Sequence, residues 1–352
     1  MGSGPRTFSR TRGRTTTGRP TGRGRRTNLA LLVLVPLAVL TGLWSNTIGT
    51  QWLIGPATVH AVIAIAIAVL SPWKSLVVRR GLRRWKRSTW TSLLLLTLIL
   101  AALITGVLHA SGLQALPGWT TVMQVHVAAA LVALLLVVSH FRAHPVRPRR
   151  RDVGRRTVVK TVGLVSLASL TWLGQEVTLD RVGLAGGRRR FTGSHQLSPF
   201  DQSGVPVTSW LDDQVQDIGA DEWRLRIDGQ TLSLADLDSY PHDDIAAVLD
   251  CTGGWYSPQT WTGIPLAKLL DVHERRSVLV RSATGYARRF PSRDLGRLWL
   301  VTNVNGTPLS AGHGFPARIV APGRRGFWWV KWVTDIHTSD VPWWVQLPFP
   351  AT

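Results

Sequence analysis

Five long apolar stretches fill the first half of the chain, and they contain no Lys, Arg, Asp or Glu apart from Lys160. They cover Asn28–Leu43, Trp52–Leu70, Trp90–Leu108, Trp119–Phe141 and Thr157–Leu173. A helix needs about 20 apolar residues to cross the hydrocarbon core of a bilayer, and uncharged runs of this length are rare inside soluble proteins. The pattern therefore predicts a five-helix transmembrane bundle over residues 28–174, rather than buried helices of a soluble core.

The hydrophobic pattern changes after residue 174. Residues 175–200 are rich in Gly and Arg and are predicted to form a linker. Beyond them, short apolar or alternating segments are separated by Gly and Pro, which is typical of strands and turns. Predicted strands are Trp223–Ile227, Ile245–Leu249, Ser277–Arg281, Leu298–Val304, Ala317–Val320 and Phe327–Val333, with a short helix at Pro265–Leu270. This mixture predicts an α+β domain over residues 201–352.

Charge is distributed very unevenly between the two halves of the chain. The net charge is +21, but residues 1–160 contain 23 Lys and Arg with one acidic residue, whereas residues 161–352 contain 18 and 19. A nearly neutral second half argues against nucleic-acid binding. The basic residues of the first half lie in residues 1–27, 73–88 and 142–160, and the connections at about 44–51 and 109–118 have none.

This alternation predicts the orientation of the bundle in the cytoplasmic membrane, because basic loops remain in the cytoplasm. The N-terminus and both basic loops are then cytoplasmic, and the α+β domain lies outside. Residues 1–27 are predicted to be a disordered basic tail, and the Arg clusters to contact anionic membrane lipid.

Gly154–Lys160 precedes the fifth apolar stretch and contains Arg155-Arg156. This segment resembles a twin-arginine export signal. The alternative is ordinary positive-inside charge. The export interpretation gains weight if the outer domain folds around a cofactor before export, because that pathway carries folded proteins.

Histidines inside apolar stretches are candidates for function, because ionisable groups are costly in a bilayer. His60 and His126 lie at similar predicted depths in the second and fourth stretches, each followed by small apolar residues. Two imidazoles on facing helices can ligate a b-type haem iron. His140 would need a partner for a second haem, and His109 is a further ligand candidate. The alternative is that these histidines are interfacial or make helix–helix hydrogen bonds.

Cys251 is the single cysteine, which excludes an intrachain disulfide and any multi-cysteine metal site. It follows a predicted strand and precedes Gly253-Gly254, where the backbone can approach another group closely. From the residues alone, Cys251 can be buried filler, a nucleophile or a thiolate metal ligand.

Three ordered motifs within residues 205–340 bear on that choice. They are Cys251 with Trp255, Trp261 and Gly263-Ile264-Pro265-Leu266; His313-Gly314-Phe315-Pro316-Ala317-Arg318; and Phe327-Trp328-Trp329-Val330-Lys331-Trp332. Together they resemble the molybdopterin-binding domain of the sulfite oxidase superfamily. The resemblance implies a molybdenum ion held by a pterin dithiolene and by the Cys251 thiolate. It also implies that His313, Arg318 and Lys331 hold the pterin and its phosphate, joined by Ser282, Trp329 and Val330.

The chain departs from the sulfite oxidases at one place. Those enzymes carry Asn-Arg soon after the ligand cysteine, where this chain has Gly254 and Trp255. The spacing is closer to the catalytic subunit of the periplasmic methionine-sulfoxide reductase, which works with a haem-bearing membrane subunit. Tyr256 and Tyr286 are predicted to donate a proton or hydrogen bond near the metal. Arg288 is predicted to contact a substrate oxygen, and its alternative is a solvated surface charge.

These observations predict a membrane-anchored molybdopterin-dependent oxidoreductase. It would transfer an oxygen atom to or from a small sulfoxide- or sulfite-like substrate outside the membrane. Electrons would be exchanged with a respiratory-chain donor or acceptor through haem b. The alternatives are a membrane b-type cytochrome with a non-catalytic outer domain, and a structural membrane anchor without cofactors. Nucleic acid is not an expected partner.

Overall fold

The computed structural model describes residues 22–47, 49–50, 54–82, 87–113, 121–143, 149, 152, 154–210, 213–271 and 276–350. Residues 1–21 of the predicted disordered tail therefore lie outside the described residues. Within the described part, five long helices come first. They are α1 (Gly22–Thr47), α2 (Ile54–Leu82), α3 (Arg87–Ser111), α4 (Val122–Ala143) and α5 (Arg155–Arg181). Each contains a span that is long and apolar enough to cross a membrane.

The helices pack chiefly as neighbouring pairs, α1 on α2, α3 on α4 and α2 on α5. Their outward faces are apolar, and Leu40, Ile104, Leu135 and Leu170 are each more than half exposed. Apolar surface on this scale marks a contact with another apolar phase or partner. The five apolar helices of the prediction are confirmed. They extend beyond the apolar stretches because hydropathy identifies only the uncharged part of a helix.

Eleven strands and one short helix are described after the bundle. They are β1 (His195–Gln196), β2 (Leu225–Ile227), β3 (Gln230–Leu232), α6 (Leu234–Asp238), β4 (Asp243–Asp250), β5 (Trp255–Pro265), β6 (Ser277–Ser282), β7 (Ala287–Pro291), β8 (Trp299–Val304), β9 (Thr307–Pro308), β10 (Arg318–Val320) and β11 (Val333–Ser339). Sheet 1 has the order β1-β5-β8-β10, with β4 on β5 and β9 on β8. Sheet 2 has the order β3-β2-β11-β6-β7.

One hydrophobic core joins the two sheets. Leu225 and Phe290 of sheet 2 and Leu300 of sheet 1 are fully buried in it, together with Leu237 of α6. A capping box between Ser233 and Asp236 starts α6, which satisfies backbone donors at the helix N-terminus. The predicted α+β architecture of the second half is confirmed.

One predicted strand is wrong, and one strand of the structure was not predicted. Phe327–Val333 is not a strand: a 3₁₀ turn covers Gly326–Trp328, and β11 begins at Val333. The turn forms because the amide groups of Trp328 and Trp329 donate to nearby carbonyls instead of a neighbouring strand. β5 is the longest strand and was not predicted, because Pro and Gly inside it are strand-weakening signals.

The predicted linker over residues 175–200 also differs from the structure. Helix α5 continues to Arg181, a 3₁₀ turn covers Ala185–Arg188, and β1 pairs in parallel with β5. This stretch packs closely on the helix bundle: a Cβ atom added to Gly186 would overlap the Ala110 carbonyl oxygen at the end of α3. On the other side, a Cβ atom on Gly49 would lie 2.7 Å from the Gly323 oxygen. The sheet domain is therefore seated on the ends of α1 and α3.

Candidate active site

Cys251 lies directly after β4, at the start of a tight turn into β5. The Cys251 amide donates to the Trp255 carbonyl at 2.8 Å, and the Gly254 amide donates to the Cys251 carbonyl at 3.2 Å. Gly254 has a φ of 91°, a conformation that side-chain-bearing residues rarely adopt. The Gly-Gly sequence thus allows the chain to reverse immediately after Cys251.

The Cys251 sulfur is enclosed by the protein and receives two weak polar contacts. The Gly253 amide donates to Sγ at 3.3 Å, and the Thr208 hydroxyl lies 3.7 Å from Sγ. Burial raises the pKa of the Cys251 thiol, an effect only partly opposed by these two groups. A thiolate at this position therefore requires a cation or metal ion to stabilise it.

A buried ion pair fixes the backbone of Cys251. Asp250 is 2% exposed and accepts hydrogen bonds from Arg325 at 2.6 Å, Ser194 at 2.7 Å and Thr192 at 2.8 Å. The same Arg325 guanidinium donates to the Cys251 carbonyl at 2.9 Å. Because the Asp250 carboxylate is fully paired and Arg325 also holds the Cys251 carbonyl, the turn that carries the sulfur is held from behind.

Arg318 and Lys331 are both cations. Neither forms a salt bridge with a carboxylate among the described residues. Arg318 is 2% exposed, and its guanidinium donates to the His313 carbonyl at 2.9 Å. Burial lowers the pKa of Arg318 to about 9. The Lys331 ammonium donates to the Gly312 carbonyl at 2.7 Å. Burial, reinforced by the nearby Arg318 charge, lowers the pKa of Lys331 to about 7.

His313 lies beside these cations in its neutral form. Its Nε2 donates to the Val205 carbonyl at 3.1 Å, since a carbonyl can only accept. Its Nδ1 then accepts from the Ser310 hydroxyl at 2.7 Å. Burial and the neighbouring Arg318 charge lower the pKa of His313 to about 4. The three predicted cofactor-binding residues His313, Arg318 and Lys331 are therefore brought together around the Gly312–Gly314 loop.

These residues fit the molybdopterin that the resemblance implies. Buried Arg318, whose Nε atom lacks a partner, and half-buried Lys331 make no described salt bridge, and together they suit an anionic phosphate group. Among the described residues no three His, Cys, Asp or Glu side chains converge to hold a metal. A pterin dithiolene would supply further sulfur ligands to a molybdenum ion at Cys251.

The other predicted cofactor-binding residues are Trp329 and Val330, which bond to β10 beside Arg318, and Ser282, which lies at the end of β6. The Trp329 carbonyl accepts from Arg318 at 3.4 Å, and the Val330 carbonyl accepts from the Ile319 amide at 2.8 Å. Ser282 is buried at the end of β6, and its hydroxyl accepts from the Thr284 amide at 3.3 Å.

The three predicted catalytic residues beyond Cys251 have other partners in the structure. The Tyr256 hydroxyl donates to Gln196 at 3.3 Å. The Tyr286 hydroxyl donates to the Phe327 carbonyl, and burial raises the pKa of Tyr286. Arg288 is not the solvated surface charge of the alternative interpretation, because it is 2% exposed. Its guanidinium lies 4.1 Å from the centre of the Trp328 ring, and burial lowers its pKa to about 10.

The structure also brings His60 and His126 together inside the helix bundle, with ring centroids 5.9 Å apart. The Nδ1 atom of each ring lies 2.8 Å from a backbone carbonyl of a neighbouring helix, Ala38 for His60 and Ala102 for His126. Each Nδ1 must therefore carry the proton, which leaves each Nε2 lone pair free for a metal. This is the usual arrangement of metal-ligating histidines.

Several residues near Cys251 escaped the sequence prediction. Thr208 touches the sulfur, and Val207 of the same segment packs on Gly312. His109 and His195 approach Gly254 from the helix bundle and from β1. The adjacency of Asp250 to Cys251 was a usable signal, because an acid in a buried strand needs a basic partner. His109 was predicted only as a haem-ligand candidate, and nothing in the local sequence marks Thr208, Val207 or His195.

Comparisons with known proteins agree with this site. Residues 212–344 match the family described as "Oxidoreductase molybdopterin binding domain". The chain is 31% identical over 104 residues to "Nitrate reductase [NADPH]" of Phytophthora infestans, covering 24% of this chain and 11% of that protein. It is 28% identical over 170 residues to "Sulfite oxidase, mitochondrial" of Rattus norvegicus, covering 36% and 31%.

A solved structure, "Crystal Structure of the Sulfane Dehydrogenase SoxCD from Paracoccus pantotrophus", shares 26% identity and covers 36% of this chain and 40% of that one, with a TM-score of 0.34. The chain spans less than a third of the length of the two curated relatives. The predicted resemblance is confirmed for residues 212–344, which match the molybdopterin-binding family and are similar to sulfite oxidase. The matched region lies entirely after α5.

Proposed function

We propose that this chain is a membrane-anchored molybdopterin-dependent oxidoreductase that transfers an oxygen atom to or from a small substrate. One observation carries the proposal: the single cysteine, Cys251, is partly buried and shares a site with buried Arg318 and half-buried Lys331, which make no described salt bridge with a carboxylate. A thiolate suits the metal and the cations suit the pterin phosphate.

When bound, the molybdenum–pterin group supplies oxygen-atom transfer and two-electron redox chemistry. The chain's own groups bind and orient it. Cys251 provides the metal ligand, and Arg325 holds the Cys251 carbonyl. Arg318 and Lys331 would hold the phosphate and pterin, with neutral His313 as a hydrogen-bonding partner. Ser282, Trp329 and Val330 complete the surroundings.

The substrate we propose is a small sulfoxide- or sulfite-like molecule. The two curated relatives are named for nitrate and sulfite, which are small oxyanions. Gly254 and Trp255 stand where sulfite oxidases have an Asn-Arg pair, which favours an uncharged sulfoxide. Tyr256, Tyr286 and Arg288 remain proposed substrate-side residues, and they would have to release their present partners to contact a substrate.

Metal analysis of a Cys251→Ser variant tests the site. We expect about one molybdenum per chain in the wild type, and loss of both the metal and the oxygen-transfer activity in the variant. Ser239→Ala, at the exposed end of α6, serves as the matched control for expression and folding. A Cys251→Ser protein that is as active and as rich in molybdenum as the control would refute the assignment.

We further propose that His60 and His126 hold a b-type haem. The two rings support this, since each is oriented through Nδ1 and their centroids are 5.9 Å apart, so the two Nε2 atoms would supply the nitrogen ligands of the iron. His60→Ala and His126→Ala should each abolish the Soret band. His140→Ala is the matched control from α4 and should keep the band. A colourless wild-type protein from haem-replete cells would contradict the proposal.

The proposed location is the cytoplasmic membrane, with the sheet domain outside and electrons exchanged with the respiratory chain. The basic loops support this orientation. Arg155 and Arg156 begin α5 and are exposed, so an export receptor can reach them. Replacing both with Lys should block export, measured by protease access to the sheet domain in spheroplasts. Unchanged protease access would contradict the export signal while leaving the enzyme proposal intact.

A further inference from the structure

A histidine of the helix bundle is inserted into the sheet domain. His109 lies in the last turn of α3 and is only 5% exposed. Its Nε2 donates to the Gly193 carbonyl at 3.0 Å, and its own carbonyl accepts from His195 Nε2 at 2.8 Å. The two imidazole rings lie 5.0 Å apart and nearly perpendicular. Two reciprocal hydrogen bonds and a ring contact therefore fasten α3 to β1.

The same histidine supports the turn that carries Cys251. A Cβ atom at Gly254 would lie 2.5 Å from Cε1 of His109, so close that one of the two groups would have to move. The Gly254 carbonyl also accepts from the His195 amide at 2.9 Å. His109 thus occupies the space that any larger residue at position 254 would need, so the Cys251–Gly254 turn rests directly on the bundle.

Helix α3 also connects His109 with the His60–His126 pair, because the His126 ring packs against α3 on the side of His109 that faces into the bundle. His126 bonds the Ala102 carbonyl, and a Cβ atom at Gly106 would lie 3.3 Å from the His126 ring. Ala102 precedes His109 by seven residues, which is about two helical turns and about 10 Å along one face. The His126 ring therefore approaches α3 between one and two turns below His109.

We propose that His109, with His195, forms the junction that couples electron exchange between the His60–His126 site and the Cys251 site. The proposal rests on the proposed function, in which both sites hold redox groups. His109 acts as a positioning residue: it fixes the separation of the two sites and fills the gap with bonded atoms. Electron tunnelling falls steeply with distance and passes more readily through bonded atoms than through gaps.

The electron count is consistent with this role. Reduction of a sulfoxide consumes two electrons and two protons, breaks the sulfur–oxygen bond, and releases the sulfide and water. The haem that His60 and His126 would hold would supply one electron at a time, so each reduction would need two transfers across the junction. The reductant is a membrane quinol in the cell, and dithionite replaces it in the test below.

The test uses the full-length protein loaded with both metals and reduced anaerobically with dithionite. Excess methionine sulfoxide is added, and haem reoxidation is followed by stopped-flow absorbance. A soluble dye that reduces the sheet domain directly gives a second rate for the same preparation. In His109→Phe we expect the ratio of the haem-linked to the dye-linked rate to fall at least about tenfold, equivalent to about 1.4 kcal/mol. Haem and molybdenum contents are measured on each sample.

Three further variants sharpen the result. His109→Gln keeps an N–H donor for Gly193 and should restore part of the ratio. Gly254→Ala displaces His109 from the opposite side and should lower the ratio independently. Ser111→Ala is the control, because its hydroxyl bonds only the Val107 carbonyl of its own helix, and it should leave the ratio unchanged.

The outcomes separate the junction from the proposed function. In one outcome, the sulfoxide reoxidises the wild-type haem, but His109→Phe and Gly254→Ala keep the wild-type ratio of the haem-linked to the dye-linked rate. His109 is then only a structural contact, and the junction is refuted. If the wild-type protein carries haem that the sulfoxide does not reoxidise, the proposed electron exchange fails, and the junction fails with it.

Discussion

Lys331 gives the sharpest prediction about the cofactor site. Burial and the nearby Arg318 charge lower its pKa to about 7, and Lys331→Met removes the charge while keeping most of the side-chain length. In the cofactor-free protein this change should stabilise the sheet domain, because the charged ammonium is costly there. In the loaded protein it should weaken cofactor retention, because the phosphate loses a cationic partner.

The magnitude and sign follow from the pKa difference between the folded and unfolded states. The unfolded side chain binds its proton up to its ordinary pKa of 10.5, but the folded one releases it above about 7. Below pH 7 both states are protonated and the penalty is complete, up to about 5 kcal/mol at about 1.4 kcal/mol per pKa unit. Between pH 7 and 10.5 the unfolded state binds more protons, so stability rises with pH.

The assay is thermal unfolding of the sheet domain within the full-length, cofactor-free protein, followed by tryptophan fluorescence. Between pH 6 and 9 the wild type should gain up to about 3 kcal/mol more than Lys331→Met. Lys268→Met, which removes an exposed lysine paired with Asp243, is the matched control and should follow the wild-type pH dependence. If wild type and Lys331→Met show parallel pH profiles, the ammonium is solvated and the argument for an anion site at Lys331 is wrong.

Three further predictions concern the neighbouring residues. Asp250→Asn breaks the buried ion pair and should lower the free energy of unfolding by about 3–5 kcal/mol, measured by thermal unfolding, whereas Thr192→Val removes one hydrogen bond and should cost about 1 kcal/mol. Gly254→Ala should lower the free energy of unfolding by at least about 1–3 kcal/mol because of the backbone conformation of Gly254. In a double-mutant cycle, His109→Ala should recover only the part of this loss that comes from the overlap between the new Cβ atom and the His109 ring. Arg318→Met should leave the cofactor-free domain at least as stable but lose molybdenum on gel filtration; a variant that retains the metal would contradict its role.

The local sequence pattern was sufficient to predict those helices and strands whose surroundings have the same polarity along their whole length. The five helices could be predicted because an apolar phase imposes uncharged runs that few other structures need. The ends could not, since α1 begins at Gly22 and α5 continues to Arg181 through polar residues. Strands such as β8 were recognisable because they begin with consecutive apolar residues, here Trp299–Val301.

The sequence was less informative where tertiary contacts decide the conformation. The aromatic run from Phe327 to Trp332 has strong strand propensity, but it is folded into a turn. Trp329 there donates through its indole to the Arg324 carbonyl, and Trp332 donates to Ala311. These two indoles find separate partners, which a regular strand would prevent. β5 shows the converse, because its neighbours β4 and β8 stabilise a strand that contains Pro and Gly.

The candidate site could be assigned by motif, but its supports could not. Cys251, His313, Arg318 and Lys331 stand in recognisable local contexts, and the structure groups the last three on one loop. Thr208 and His109 reach Cys251 and Gly254 from positions 43 and 145 residues away in the chain. Contacts between segments so far apart leave no periodic or local signal in one sequence.

The uncompensated cations and the helix junction lead to one conclusion about the order of assembly. Arg318 and Lys331 oppose folding of the cofactor-free domain, and a bound anion reverses that cost, so loading and folding are thermodynamically linked. The Cys251–Gly254 turn also rests on His109 of α3, so the domain reaches its final geometry only when seated on the bundle. Cofactor loading should therefore precede seating: the anion stabilises the domain alone, and docking on α3 then closes the back of the cysteine turn. Pulse-labelled cells should accumulate loaded, protease-resistant sheet domain before it becomes accessible from outside, and external exposure of the cofactor-free domain at the same rate would contradict this order.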